Sequence, residues 1–265
     1  MSIKANQEQS TGNYEKKLWQ GNALVKVLAV NPTLAELNKL GVGIKTEPNY
    51  KNDNFGKVTF WIENATTGKF PINFLINTPK VSTKDTWELI DKYGSGLWCT
   101  KEGNQYIKPE ITDSTNKYYA EKITNFDMNS ARLAYGGEIN LTDFIKAWGD
   151  LQDDKVTKVS PECTLDTMDK IVKSDVGELK SLLASIPAER TVWVCLGVKD
   201  GLYQEFYNRK FARHWNKEPN VIINDLNKAQ SLKFHFGSSP YSLQEFNGNG
   251  ATVGNRVAAT SDLPF

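Results

Sequence analysis

The chain has 265 residues, a formal charge of +1 and 11% aromatic residues, which allows one large domain or two small ones with a real core. Its negative mean hydropathy and the lack of a long apolar run exclude a membrane-spanning helix. The near-neutral balance also argues against a nucleic-acid binder, unless positive charge is segregated on one face.

Residues 1–12 are polar, without an apolar stretch, so they read as a disordered start with no secretory signal. Leu24 to Val30 is the clear strand within 13–30, and Asn31-Pro32-Thr33 stops it. Thr33 is placed to cap a short helix, Leu34 to Leu40, ended by Gly41. The polar segment 45–56 reads as a loop. Val58, Phe60 and Ile62 then alternate with Thr59 and Trp61, and Phe70, Ile72, Phe74 and Ile76 alternate likewise. With turn residues at 64–68 this predicts a hairpin with one buried face. Pro71 cannot donate to a ladder, which assigns it to an edge or a bulge.

From 82 to 137 the pattern is irregular. It gives a short helix or loop at 87–93, a turn at Gly94-Ser95-Gly96 and short strands at 104–111 and 116–124. Leu141, Phe144, Ile145 and Trp148 form one stripe at helical spacing, with Asn140 as its cap. Asp150 to Asp154 is a polar link. Thr164 caps a second helix carrying Leu165, Met168 and Val172, and Asp175 a third carrying Val176, Leu179, Leu182 and Leu183. Val192 to Val198 alternates as a strand. Asp200-Gly201 is a hairpin signal, and Tyr203 to Phe211 is the return strand. A short helix at 221–228 and a strand at 232–236 complete the domain. Residues 247–265 have almost nothing to bury and read as a flexible tail.

Strands, then helices, then strands, without regular alternation of the two, argue against a doubly wound sheet. The expected fold class is mainly β with helical insertions (α+β). The expected form is an oligonucleotide-binding-like barrel over 13–246 with a helical insertion around 139–186.

No constellation for catalysis stands out. Gly94-Ser95-Gly96 lacks the frame of a P-loop or a nucleophile elbow. Cys99, Cys163 and Cys195 are odd in number and far apart, which points to a reducing compartment without a disulfide framework; the lack of a secretory signal makes the cytoplasm the expected location. Cys195 with His214 is conceivable as a nucleophile pair, but the alternating strand around Cys195 favours core packing. His214 and His235 are the only histidines, too few for an evident zinc site. The chain is therefore expected to be no enzyme and to need no metal and no cofactor.

Binding single strands takes Lys and Arg for phosphates and open rings for bases. Two segments interleave them. In Tyr203–Lys217 the candidates are Tyr203, Tyr207, Arg209, Lys210 and Arg213. In Tyr106–Arg132 they are Tyr106, Lys108, Tyr119 and Arg132. On the first hairpin Trp61 opposes the apolar face, flanked by Lys57 and Lys69, so it is expected to be an exposed stacking ring.

The chain ends Ser261-Asp262-Leu263-Pro264-Phe265. This tip resembles that of bacterial single-stranded DNA-binding proteins, which end Asp-Ile-Pro-Phe. Mid-chain, Gly137-Glu138-x-x-Leu141-x-x-Phe144-Ile145-x-x-Trp148 is similar to a helix motif of phage-encoded single-stranded DNA-binding proteins. The resemblance covers roughly 55–236 loosely, plus the tail. It implies an oligonucleotide-binding barrel that coats single-stranded DNA during phage replication, recombination and repair. It also implies that Asp262, Leu263, Pro264 and Phe265 recruit replication or recombination proteins, in the host cytoplasm. Family tails are strongly acidic, whereas from Glu245 to Phe265 only Glu245 and Asp262 are acidic, against Arg256. Recruitment rather than autoinhibition is therefore expected. A strand-annealing protein, a virion or assembly protein without DNA affinity, and a metal-dependent nuclease remain alternatives.

Overall fold

The computed structural model describes residues 17–52, 55–79, 85–112, 114–149, 165–199, 203–213, 234–235 and 243–246. In chain order the elements are β1 (Trp19–Val30), α1 (Leu34–Lys39), β2 (Lys51–Asn52), β3 (Phe55–Asn64), β4 (Gly68–Ile76), β5 (Trp87–Ile90), β6 (Gly96–Glu102) and β7 (Gln105–Ile107). Next come α2 (Lys117–Asn125), a 3-10 turn (Met128–Ser130), β8 (Arg132–Leu133), α3 (Glu138–Gly149), α4 (Leu165–Val172) and α5 (Gly177–Ser185). The last are β9 (Thr191–Lys199), β10 (Tyr203–Arg213), β11 (Phe234–His235) and β12 (Gln244–Glu245). The fold is mainly β, with antiparallel sheets and a few helices, an α+β architecture. No helix among the described residues is long and apolar enough to cross a membrane.

The chain divides into two compact units. The terminal unit comprises Met1–Lys26, Asn64–Gly68 and Thr191–Phe265, and the central unit Val27–Glu63 and Lys69–Arg190.

In the terminal unit β9 pairs antiparallel with β1, from Gly21↔Leu196 to Lys26↔Thr191. Its other partners are β10 and the short β11. Val192, Val194, Leu196 and Val198 are fully buried, as the alternation predicts, and Cys195 is buried as well. The β9–β10 ladder slips between Phe206 and Phe211, an irregularity of the kind that re-aims side chains on a strand. β12 pairs with the start of β1, and Lys17 bonds Glu245 at 2.9 Å. The turn Asp200-Gly201, the expected helix 221–228 and the tail lie outside the described residues.

In the central unit β3 pairs with β1, β2 and β4. The core forms where one face of the β3–β4 hairpin meets the stripe of α3. Phe60 lies 4.8 Å from Phe144 and 5.9 Å from Phe74 between ring centroids, and Trp148 lies 6.1 Å from Phe60. Each such buried side chain is worth roughly 1.5–3 kcal/mol. Among the described residues β4 pairs with β3 alone, which gives Pro71 the edge position expected of it. α1 forms as expected, with Thr33 and Glu36 closing a capping box.

Several local expectations change. The third helix is capped at Val176 rather than Asp175, whose carboxylate accepts from the Gly177 N–H, and β2 with the start of β3 falls inside the expected loop 45–56. Residues 87–90 form a strand because β5 is an inner strand of a second sheet, ordered β7-β6-β5-β8, with Leu89 and Ile90 buried. Residues 117–125 form a helix, not a strand. Asn116 caps it by accepting from the Tyr119 N–H, and Ile123 and Phe126 are buried against β5 and β6 in one cluster. Tertiary packing overrides the β-prone Tyr118-Tyr119 and Ile123-Thr124 pairs. Finally, α3 starts at Glu138, so Asn140 lies inside it. Gly137 precedes it at φ +85°, and a Cβ there would sit 2.1 Å from the Leu75 carbonyl oxygen. Only glycine meets both demands.

Candidate nucleic-acid interface

The hairpin does not carry an open ring. Trp61 is only 6% exposed, and Thr59 beside it on the same face is buried too. The segment after β1 is bonded to β3 at this point. Asn31 accepts from the Thr59 N–H at 2.6 Å and donates to the Lys57 carbonyl at 2.8 Å. Tyr50 donates its hydroxyl to the Pro32 carbonyl at 2.7 Å and is hydrogen-bonded by the Trp61 side chain. The expectation of an exposed stacking ring at Trp61 is thus corrected: the indole is core, with its polar end satisfied.

The cations called on in the central unit divide by what they touch. Lys69 donates to the Leu40 carbonyl at 2.6 Å and lies 3.7 Å from Glu63. It closes the C-terminal end of α1. Lys108 donates to the carbonyls of Ile123 (2.8 Å) and Phe126 (2.7 Å), where α2 ends. A cation at that place meets the negative end of the helix dipole. Arg132 forks onto Glu138 at 2.5 and 3.0 Å, and Glu138 is 0% exposed. All three are engaged by acceptors within the central unit, and Lys108 and Arg132 are partly buried. Lys57 differs. It is half-buried, with its ammonium 6.0 Å from the Tyr50 ring centroid, and burial lowers its pKa.

Of the rings, Tyr106 is partly buried against the β5–β6 core and 6.2 Å from Trp87, with the Lys101 ammonium 5.5 Å from its centroid. Tyr119 is exposed on α2. Tyr203, Tyr207, Arg209, Lys210 and Arg213 all belong to β10, and their side chains lie outside the described residues, as do Asp262 to Phe265.

Two exposed rings escaped the reading of the sequence. Trp98 on β6 is 47% exposed, and Tyr93 in the β5–β6 turn is 60% exposed. Lys92 lies 5.0 Å from the Tyr93 centroid and pairs with Asp127 at 3.2 Å, a contact that raises the lysine's pKa. The turn itself is built by Asp91, whose carboxylate accepts from the N–H groups of Tyr93 (2.9 Å) and Ser95 (2.8 Å). The signal for Trp98 was available: Leu97 and Cys99 alternate with Trp98 and Thr100.

Charge separates between the units. The stretches of the terminal unit hold twelve Lys and Arg against eight Asp and Glu, net +4, and the central unit twenty against twenty-three, net −3. Among the described residues no group of three or more His, Cys, Asp or Glu is arranged to hold a metal ion. Cys195 is buried, which pushes its thiol pKa up to about 12, the state of a packed thiol rather than a nucleophile. No family model, no curated protein and no solved structure matches this chain.

Proposed function

We propose that this chain is a non-enzymatic, cytoplasmic binder of single-stranded DNA, of the phage-encoded kind, that recruits partner enzymes through Asp262-Leu263-Pro264-Phe265. The observation that carries the reading is the segregation of charge. An overall charge of +1 hides a terminal unit at net +4. Within it the segment Tyr203–Lys217 holds four basic residues, five aromatic ones and a single acid, Glu205. Cations there neutralise phosphates and release counterions, and rings stack on bases without regard to sequence. The antiparallel, mainly β architecture is compatible with an oligonucleotide-binding barrel. The slip in β10 between Phe206 and Phe211 supports a strand shaped for something other than uniform pairing.

The test is a titration of the full chain with oligo-dT and with duplex DNA, read by tryptophan fluorescence and gel shift at low and moderate salt. Quenching by oligo-dT, weakened by salt and absent with duplex, is the expected result. No response by either readout overturns the reading. An assembly protein is the second reading, favoured by the open tryptophan on β6.

A further inference from the structure

In the terminal unit, Ala23, Val25, Val192 and Val194 fill one face of the β1–β9 pair. The other face is mixed. Asn22 stands directly opposite Cys195, Leu24 opposite Trp193 and Lys26 opposite Thr191, and alternation puts these residues on one side. One end is closed, with Asn22 3% exposed and Cys195 buried. The other end opens, with Leu24 and Trp193 half-buried and Lys26 exposed.

The closed end holds an anomaly. Neither amide atom of Asn22 has a hydrogen-bond partner, and the buried Gln20 beside it has an unpartnered Oε1. A buried amide left unsatisfied carries a cost that an apolar side chain of the same shape would not. Asn22 therefore marks a place where another group supplies a donor and an acceptor. The rest of the face narrows the choice of group. Trp193 offers a ring, and Lys26 offers a cation with no ion pair among the described residues. No carboxylate stands at any of these positions. Amide, ring and cation follow one another at steps of about 6–7 Å along the strand, in the order of base edge, base plane and phosphate.

We propose that this face takes one nucleotide of a single strand, its base edge on the Asn22 amide, its plane against Leu24 and Trp193, and its phosphate at Lys26. Base edges present a donor beside an acceptor, and an amide offers both, so the contact adds affinity without selecting a sequence. Entry requires the cover over Asn22 to shift. Next to it along β1 only Gln244 and Glu245 of β12 are paired, and so short a strand opens easily. The site deepens the single-strand reading and rests on it.

The full chain is titrated with oligo-dT and with an abasic deoxyribose-phosphate strand of equal length, as wild type, Asn22→Leu and Lys26→Gln. Asn22→Leu is expected to weaken oligo-dT binding about tenfold, to leave abasic binding unchanged and to unfold at no lower urea concentration than the parent. Lys26→Gln, an exposed change that spares the core, is expected to weaken both and to lower the salt slope by about one contact. A strand carrying 5-bromodeoxyuridine, photocrosslinked to the wild type, is expected to mark peptides of β1 or β9. If the wild type binds oligo-dT and Asn22→Leu binds it equally well, an ordered water satisfies the amide; the nucleotide site fails and the DNA reading stands. Crosslinks confined to other elements overturn the site in the same way. An Asn22→Leu chain that is less stable or unfolded also overturns it, because the amide is then satisfied within the fold. A wild type that binds neither strand overturns both readings together.

Discussion

The β3–β4 hairpin and the β7-β6-β5-β8 sheet are built on one plan, an apolar face and, opposite it, a face with a tryptophan on an inner position. In the hairpin Trp61 is buried and its side chain is hydrogen-bonded to Tyr50, from the segment that follows β1. In the second sheet Trp98 is 47% exposed, although Ile139 of α3 packs close to the same strand at Gly96. Alternation along a strand tells which side chains share a face. It does not tell whether that face is roofed, since the roof comes from residues distant in sequence.

The largest expected effect follows from that contrast. Trp61→Ala opens a cavity in a packed interior and is expected to cost about 3–5 kcal/mol, read as a lower midpoint in urea unfolding. A loss of single-strand affinity at unchanged stability is the opposite outcome, and it returns Trp61 to the surface. Next comes the anchor between the second sheet and α3. Arg132→Ala leaves Glu138 as an unpaired buried carboxylate and is expected to cost about 3–5 kcal/mol, where a phosphate contact would cost only affinity. Urea unfolding and a salt titration on the same protein separate the two.

The same physics explains how far the sequence could be read. Periodicity was enough for the hairpin, for the α3 stripe of Leu141, Phe144, Ile145 and Trp148, and for β9, because each buries a regular pattern against its neighbours. It failed at 117–125, where β-prone residues became helix once Asn116 capped it and Ile123 and Phe126 found a sheet to cover. The site was harder. A lysine beside an aromatic residue reads the same whether it meets phosphate or, like Lys69 and Lys108, closes the end of a helix. Only the three-dimensional acceptors separate the cases.

Two smaller effects sharpen the picture of how the second sheet is fastened. Tyr135 donates its hydroxyl to Asp169 at 2.5 Å. That bond first, and burial second, push its pKa from 10.0 up to about 12. The folded value lies above the unfolded one, so this contribution is fully present below pH 10 and is lost as pH rises through 12. Tyr135→Phe is expected to cost about 1–2 kcal/mol near neutrality, a deficit that shrinks over that window in urea melts run at stepped pH. A deficit constant to pH 12 assigns the loss to packing instead. Lys108→Gln removes the cation from the end of α2 and is expected to cost about 1 kcal/mol. The slope of single-strand affinity against salt should stay that of the parent. A slope lower by about one contact makes Lys108 a phosphate ligand after all.

The smallest expected change in stability completes the comparison. Trp98→Ala removes as many atoms as Trp61→Ala, but nearly half of this side chain's residue is already in water. Little burial is lost and no cavity opens. The shift in unfolding free energy is expected to stay within about 0.5 kcal/mol. A loss near that of Trp61→Ala means the second face is roofed in solution, by another part of the chain or by a second copy. Repeating the melt across a dilution series distinguishes these, because a roof made by a second copy is lost on dilution and one made within the chain is not.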